Sequence, residues 1–230
     1  MGGAFNQNHG EEPAEQEQPL PPDGSVRERL LKAAVDLFHR KGYAATSVNE
    51  IVSATGVTKP VLYYYFQSKE GIFLELMKEG RGRFQAIVGR DRSAEAGTLA
   101  DKIRRFCHET IDLFVENIHI VRVMYSIYYG PPQGGPFVDF DVFHDQFRSA
   151  MQGLVKEGMR SGEFREGDAL AMTGAILGTL SIFTESSLCH PDHAMSIEEF
   201  DRMLDVVFQG ISVNRRTGPK ERPLIRKGKP

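Results

Sequence analysis

The sequence predicts an all-α protein with a small N-terminal head of three helices and a larger helical body. Apolar residues recur at helical spacing along most of the chain, and residues that favour helix N-caps stand where these segments begin. No convincing alternating strand pattern appears between them. We therefore expect an acidic disordered tail at 1–24, the head at 25–70, the body at 71–213 and a basic flexible tail at 214–230.

The first helix of the head is predicted to begin near Ser25. Glu28 stands three residues later, so the two side chains can form a capping box. Lys41 and Gly42 mark the end of this helix, because glycine readily adopts the left-handed backbone that stops a helix. The apolar face of the helix consists of Leu30, Ala33, Ala34, Leu37 and Phe38.

The segment that follows contains the most specific pattern in the chain. Ser47 and Glu50 form a second capping box, and Gly56 can end the short helix that they begin. Thr58 can cap another helix, and Pro60 lies in the first turn of that helix, where its missing N–H group costs nothing. Two short helices joined by a tight turn are the pattern of a helix-turn-helix, which lays its second helix in the DNA major groove.

Several side chains of this motif are expected to face DNA. Asn49 and Lys59 stand near the starts of the two helices and are candidates for contacts with base edges. Pro60 and Val61 are candidates for contacts with thymine methyl groups. Three successive tyrosines, separated by about 100° each on a helix, cannot all be buried, although any one of them could be a half-buried packing residue. The candidates for phosphate contacts are Thr46, Ser47, Tyr63, Tyr64, Tyr65 and Lys69.

The stretch G-V-T-K-P-V-L-Y-Y-Y-F-Q-S-K-E, residues 56–70, resembles the DNA-binding head of the TetR family of bacterial repressors. Gly42 and Tyr43 before the sequence Ala-Thr-Ser also resemble that family. The resemblance is specific over 25–75 and architectural over 76–213. The chain departs from many members at Pro60 and Val61, where they carry a small residue, so a base-reading code does not carry over.

The net charge is unevenly distributed along the chain, which carries −3 in total. The head has seven Lys and Arg residues and four Asp and Glu residues, which gives +3. The body at 71–213 has 14 Lys and Arg residues and 21 Asp and Glu residues, which gives −7. Residues 1–24 carry −5 and residues 214–230 carry +6. A basic head on an acidic body suits a protein that contacts phosphates at one end. The basic tail could add nonspecific attraction to DNA, or it could be a solvated tail without a role.

The body is predicted to be a series of helices. Ser68 and Asp168 are single N-caps, and two further helices begin with the capping boxes Thr98/Asp101 and Ser196/Glu199. A Gly/Pro stretch at 130–136 is expected to be a loop. The expected helical segments are about 69–90, one that begins at Thr98, 118–129, 137–160, 168–189 and 196–213.

The last two helices have features of an interface between subunits. Gly174 and Gly178 lie four residues apart and give a flat helix face that another helix can approach closely. The partner stripe on the last helix includes Phe200, Leu204, Val207 and Ile211. The family resemblance implies a four-helix dimer interface here, and the alternative is that both faces pack inside one subunit. A dimer is also favoured because one small helix-turn-helix reads too few base pairs, whereas two read a palindromic operator.

The middle helices are rich in aromatic residues and methionine. By the family resemblance, this region would enclose a pocket for a small molecule, and its side chains suit a lipophilic or aromatic effector. An ordinary core is the alternative for each residue. The candidate lining residues are Phe106, Phe114, Met124, Tyr125, Tyr128, Phe143, Phe147, Met172 and Phe183.

Enzymatic and metal sites find little support in the sequence. No glycine-rich phosphate loop occurs in the required strand–helix context. His190 and His193 lack further ligands at a suggestive spacing, and Cys107 and His108 are helix neighbours that point about 100° apart. We therefore expect no catalytic residue, no metal and no cofactor. The N-terminus lacks the features of a secretory signal, no segment is apolar enough to span a membrane, and two cysteines form no disulfide framework, which favours a cytoplasmic protein.

Together these patterns predict a DNA-binding transcriptional regulator, specifically a homodimeric repressor that a small lipophilic or aromatic effector releases from its operator. An activator, or a regulator without an effector, is an alternative of the same class. A helical binding or scaffold protein without specific operator recognition is an alternative of a different class.

Overall fold

The computed structural model describes residues 24–130 and 135–212, and these ranges contain helices, no strand and one isolated antiparallel bridge between Phe164 and Ser212. The predicted all-α class is confirmed. The two expected tails and most of the predicted Gly/Pro loop lie outside the described residues. The helices are α1 (Gly24–Lys41), α2 (Val48–Thr55), α3 (Lys59–Phe66), α4 (Lys69–Val88), α5 (Leu99–Glu116), α6 (Ile118–Tyr128), α7 (Phe140–Ser161), α8 (Ala169–Cys189) and α9 (Ile197–Ile211), with a 3-10 turn at Pro191–His193.

Most helices begin where the predicted caps stand. The hydroxyls of Ser68 and Thr98 accept hydrogen bonds from backbone N–H groups in the first turns of α4 and α5, and Asp168 does the same for α8. Ser196 closes the predicted capping box of α9. The side chain of Ser25, the expected cap of α1, lies outside the described part of the chain. Helix α7 begins at Phe140, three residues later than expected, because Asp139 caps it.

The head is organised around a compact apolar cluster, which we call the head core. It joins α1, α2 and α3 to the first half of α4 and to one residue of α6. Its members are Val26, Leu30, Leu31, Ala34, Phe38, Ile51, Val52, Leu62, Phe66, Ile72, Phe73, Leu76 and Val123. Because Val123 comes from α6, the body contributes directly to the core of the head.

The body has its own apolar cluster, the body core, built by α5, α7, α8 and α9. Its members are Leu99, Ile103, Phe106, Cys107, Ile111, Met151, Val155, Phe164, Met172, Ile176, Leu180, Phe183, Phe200, Leu204, Phe208 and Ile211. Helix α8, among the described helices, is long and apolar enough to cross a membrane by length and composition alone. Here it packs against α5, α7 and α9, and membership of the body core accounts for its apolar composition.

Helix α4 connects the two cores without interruption. Gly80 and Gly82 lie in its middle, and the helix continues through both. Its first half contributes Ile72 and Phe73 to the head core, and its last turn packs Ile87 against the body core. Helix α1 also contacts the body through α6.

The contact between α1 and α6 includes two histidines whose rings pack at a tilt. The rings of His39 and His119 lie 4.4 Å apart between centroids. Burial lowers the pKa of His39, and nearby His119, Arg122 and Arg40 lower it further, while Asp36 opposes them. The imidazole of His39 is therefore a neutral packing group near neutral pH, which suits its place at the junction of head and body.

Gly158 on α7 allows a close approach of the chain that follows. A Cβ at this position would lie well inside contact distance of the buried ring of Phe164, whose backbone N–H donates to the Gly158 carbonyl at 2.9 Å. Gly153, one turn earlier on the same helix, is exposed and a Cβ there would meet no atom within 4 Å.

We expect Gly158→Ala to destabilise the protein by about 1–3 kcal/mol, because the added methyl group must displace a packed aromatic ring. Gly153→Ala is the matched control and should stabilise the protein by about 0.5–1 kcal/mol, since alanine has a higher helix propensity than glycine at an exposed position. Denaturant unfolding of both variants measures the difference. Equal unfolding free energies would contradict the close packing of Gly158 on Phe164.

Candidate functional site

The turn between α1 and α2 is held by a network around Glu50, in the first turn of α2. The Ser47 hydroxyl and backbone N–H both donate to the Glu50 carboxylate, and Lys41 pairs with the same side chain. The hydrogen bond from Lys41, followed by those from Ser47, lowers the pKa of Glu50 to about 2. Gly56 ends α2 with a φ of 69°, as predicted. The charged network before α2 and the left-handed glycine after it therefore define the two ends of this helix without a partner molecule.

The start of α3 presents its side chains to the outside of the head. Lys59 and Pro60 are exposed, Val61 is half-buried, and Asn49 on α2 is exposed. Thr58 precedes the helix in an extended conformation, but its hydroxyl makes no capping hydrogen bond. The first turn of α3 therefore has backbone N–H groups and a lysine at an open surface, an arrangement that suits a negatively charged partner.

The three tyrosines divide between surface and packing. Tyr63 and Tyr64 are 45% and 66% exposed, while Tyr65 is half-buried. Its ring lies 5.2 Å from that of Tyr64. Leu62 and Phe66 on the opposite side are buried in the head core. Two phenol hydroxyls are therefore open to a partner.

Two of the predicted phosphate contacts do not fit the structure. The ammonium of Lys69 donates to the carbonyls of Tyr43 and Thr46 at 2.8 Å each, and it lies 4.2 Å from the centre of the Tyr43 ring. Burial lowers its pKa. The hydroxyl of Thr46 is also occupied, because the residue is only 2% exposed and donates to the Gly42 carbonyl at 2.9 Å. Both side chains hold the turn between α1 and α2. The sequence does not indicate this role, because the partners are backbone carbonyls of that turn.

The positive charge of the head is partly neutralised within the molecule. Arg27 pairs with two glutamates of α4, Arg40 with Asp36, and Lys41 with Glu50. Lys69 donates to backbone carbonyls, so three of the seven basic side chains have neither an ion-pair partner nor a hydrogen-bond partner among residues 24–130 and 135–212. These are Arg29, Lys32 and Lys59, and all three are exposed.

A cavity of about 320 Å³ lies in the body between α4, α5, α6, α7 and α8. Of the predicted lining residues, five lie at its wall: Phe114, Met124, Tyr125, Phe143 and Phe147. Burial, followed by the neighbouring Tyr129 and Tyr128, raises the pKa of Tyr125. The cavity has the concave, mainly apolar character of a site for a small molecule.

Four predicted lining residues lie elsewhere. Phe106, Met172 and Phe183 belong to the body core, where helix faces of the same composition meet each other. Tyr128 is on the outer side of α6 and packs on Phe140. The sequence pattern did not single out the rest of the wall, which is mostly aliphatic and polar. The missed residues include Leu76, Met77, Arg81, Ile120, Val121, His144, Arg148, Leu177 and Leu180.

The exposed face of α8 and α9 differs from the predicted one. Gly174 and Gly178 face open space, since a Cβ at either position would meet nothing within 4 Å. In contrast, Phe200, Leu204 and Ile211 are buried in the body core and are unable to form a surface between subunits. Their stripe is the inner face of α9, and Val207 lies half-buried at its edge.

The large apolar side chains that do reach the surface of these two helices are Leu170, Ile182 and Val206, which are 55%, 48% and 70% exposed. Ile182 is four residues beyond Gly178, so the three positions Gly174, Gly178 and Ile182 follow one face of α8. We call this set, together with Val206, the small-residue face.

The described part of the chain offers no grouping of three His, Cys, Asp or Glu side chains that could hold a metal ion. Cys107 is buried in the body core, and burial raises its pKa to about 12, so it remains a protonated thiol. The imidazole of its neighbour His108 contacts Asp201 on α9 at 2.9 Å.

We expect Lys69→Ala to lower the stability of the head, because it leaves the carbonyls of Tyr43 and Thr46 without their donor. Losing hydrogen bonds to a charged group of this kind costs about 1–3 kcal/mol. Lys59→Ala, which removes an exposed lysine at the start of α3, should leave the unfolding free energy unchanged and is the matched control. If chemical denaturation gave the same midpoint for both variants, the bracing role of Lys69 would be wrong.

Comparison with known proteins agrees with this geometry. The family model "Bacterial regulatory proteins, tetR family" matches residues 30–76, which span the helix-turn-helix. The chain is 46% identical over 62 residues to the uncharacterized HTH-type transcriptional regulator YdgC of Bacillus subtilis (strain 168), and this match covers 27% of the chain and 32% of the relative. The chain thus spans about a third of the length of that relative.

Two longer matches extend into the body. The fatty acid metabolism regulator protein of Bacillus subtilis (strain 168) is 25% identical over 153 residues, which cover 66% of this chain and 78% of the relative. The crystal structure of PfmR, a TetR family transcriptional regulator from Thermus thermophilus, matches with a TM-score of 0.64 and 26% identity, over 81% of this chain and 100% of that one. These relatives are named regulators, not enzymes. The head therefore matches the tetR family of bacterial regulatory proteins over residues 30–76, and the helical body has the fold of a solved TetR family regulator.

Proposed function

We propose that this protein is a cytoplasmic transcriptional repressor, which binds a palindromic operator as a homodimer and releases it when a lipophilic effector occupies the body cavity. The observation that carries the proposal is the arrangement of α2 and α3, where a lysine, two tyrosine hydroxyls and the open first turn of α3 face outward together. This is the surface that a helix-turn-helix presents to the major groove.

The DNA contacts follow from the exposed side chains. Asn49 and Lys59 are the candidates for base edges, and Pro60 with Val61 for thymine methyl groups. Ser47, Tyr63 and Tyr64 are the candidates for phosphates, and Tyr65 could reach a phosphate only with its exposed edge. Lys69 and Thr46 support these contacts by holding the preceding turn.

A dimer places two heads on one operator. A Cβ at Gly174 or Gly178 would meet no atom of the described chain within 4 Å, so the small-residue face leaves room for another helix to approach closely. Two heads related by a two-fold axis would reach successive major grooves about 34–36 Å apart. The same face in the partner would then bury Ile182 and Val206, which are exposed in the single chain.

The cavity is placed to influence the heads. Its wall includes Leu76 and Met77 of α4 and Ile120 and Met124 of α6. Both of these helices also contribute residues to the head core. An effector that fits better when these helices shift would change the separation of the heads. A typical coupling of about 1–3 kcal/mol would alter operator affinity roughly 5–150-fold. The apolar wall favours a lipophilic effector, and one relative is named a fatty acid metabolism regulator.

Selection of bound fragments from a genomic library, followed by footprinting, tests the function directly. We expect a palindromic site, with Lys59→Ala weakening binding to that site much more than to unrelated DNA. A base contact of this kind typically contributes about 1–3 kcal/mol, so affinity should fall roughly 5–150-fold. Recovery of no preferred sequence would favour the helical scaffold hypothesis, and activation of a reporter by the bound protein would favour an activator.

We expect Gly178→Leu to dissociate the dimer while the helices remain folded. The added side chain occupies the space where the two copies approach, and overpacking of this kind costs about 1–3 kcal/mol. Sedimentation together with circular dichroism measures both effects. Gly153→Leu on the exposed face of α7 is the control for placing leucine at a helical glycine, and it should leave the dimer intact. An unchanged dimer in Gly178→Leu would locate the interface elsewhere.

A further inference from the structure

The polar groups of the cavity wall are all neutral or basic. Among the lining residues are Arg81, His144 and Arg148, together with Asn117, Ser181 and Thr184, but no aspartate or glutamate. The rest of the wall is apolar. Since the body as a whole has more acidic than basic residues, a wall with only basic charges is opposite to the charge around it.

The basic groups share one side of the cavity. His144 and Arg148 are four residues apart on α7 and so lie on the same face of that helix. Arg81 reaches α7 from α4, because its guanidinium carbon is 5.2 Å from the centre of the Phe143 ring. All three residues are exposed, whereas Phe84, Val121 and Leu180 deeper in the wall are buried. The cavity therefore has a basic mouth and an apolar interior.

Arg81 is not used by an internal ion pair. Within the described ranges no carboxylate lies within 4.0 Å of its guanidinium, whereas Arg83, two positions later on α4, approaches Glu116 at 3.9 Å. Arg148 has Asp145 as a partner at 2.6 Å, but this is an exposed pair within one helix and contributes little. The ring of His144 lies 5.5 Å from that of Tyr128 in an edge-to-face arrangement, and among the described residues its nitrogens make no hydrogen bond.

We propose that the cavity binds an anionic amphiphile, whose apolar body fills the interior and whose carboxylate or phosphate lies at the mouth against Arg81, Arg148 and His144. This inference rests on the proposed function in taking the cavity as the effector site, and it adds the charge of the ligand. Arginine pairs with both anions through two parallel hydrogen bonds. The volume of about 320 Å³ is at the small end for ligand sites, so a bulky anionic head stays outside the cavity.

Calorimetric titration of the full-length dimer with a matched series of amphiphiles tests the proposal. The series is dodecanoate, dodecyl phosphate, dodecan-1-ol and dodecylammonium, all below their micelle concentrations. We expect the two anions to bind about 10- to 100-fold more tightly than the alcohol, the range that a charge-assisted hydrogen bond provides. The ammonium should bind most weakly. Comparison of dodecanoate with dodecyl phosphate distinguishes the two sources of negative charge.

Variants of α4 test whether Arg81 at the mouth causes the preference for anions. Arg81→Gln should remove most of the preference for the anions over the alcohol, and Arg81→Lys should restore part of it. Arg83→Gln is the matched control, because it neutralises an arginine of the same helix that does not line the cavity. Circular dichroism of each variant establishes that it is folded.

The outcomes distinguish the failure of the anionic-ligand proposal from the failure of the proposed function. Equal affinity for the anions and the alcohol, or a preference for the ammonium, would overturn the anionic ligand and leave a lipophilic effector site standing. An anion preference that Arg81→Gln retains would overturn the role of this mouth. If no member of the series binds while the protein still binds its selected operator, the cavity is not the site of such ligands and this inference fails, whereas DNA binding stands.

Discussion

Helix α4 belongs to two apolar cores at once, and this constraint governs the rest of the structure. Ile72 and Phe73 are fully buried in the head core, while Ile87 packs on the body core. A helix of 20 residues is roughly 30 Å long and is stiff, so its two ends are unable to move independently. Any rearrangement of the body that shifts α4 must therefore move the head, or else expose apolar surface in one of the cores.

Helix α6 makes a second connection of the same kind. Val123 is part of the head core, and His119 packs against His39 of α1. The head is thus held at two places, and both holding helices also line the cavity with residues such as Leu76 and Met124. Close-packed contacts tend to switch between discrete arrangements rather than deform gradually. On the proposed function, a ligand that entered between α4 and α6 would act directly on the two contacts that orient the head.

Local features of the structure could be predicted from the sequence, and long-range ones could not. The capping boxes at Ser47, Thr98 and Ser196 were correct, because each depends on groups three residues apart. The role of Lys69 was missed, because its partner carbonyls lie more than 20 residues earlier in the chain and belong to a turn with no distinctive side chain. In the sequence, a lysine beside tyrosines looks the same whether it contacts a phosphate or holds a turn.

The same limitation explains the cavity and the dimer face. Phe106 and Phe147 are both aromatic residues on amphipathic helices, and only the packing of α5 against α7 and α8 decides that Phe147 reaches the cavity wall while Phe106 fills the body core. On α9 the apolar stripe with Phe200 and Leu204 was expected at the dimer interface, although the strongest apolar stripe of a helix usually faces its own core. Gly178 is the opposite case, because a residue without a side chain adds little to a core, and it lies at an open face of α8.

The electrostatics of the head explain why two heads and their separation should matter so much. Of the seven basic side chains at 25–70, Arg29, Lys32 and Lys59 are the ones without an ion-pair or hydrogen-bond partner among the described residues, so one head can neutralise roughly three phosphates. Two heads would neutralise about six, with a salt dependence of roughly the fifth power. A single head therefore binds DNA weakly, and useful affinity requires that both heads fit the operator at the same time. An effector need not alter α3 itself, because a change in the angle of α4 is sufficient to misplace one head relative to the other.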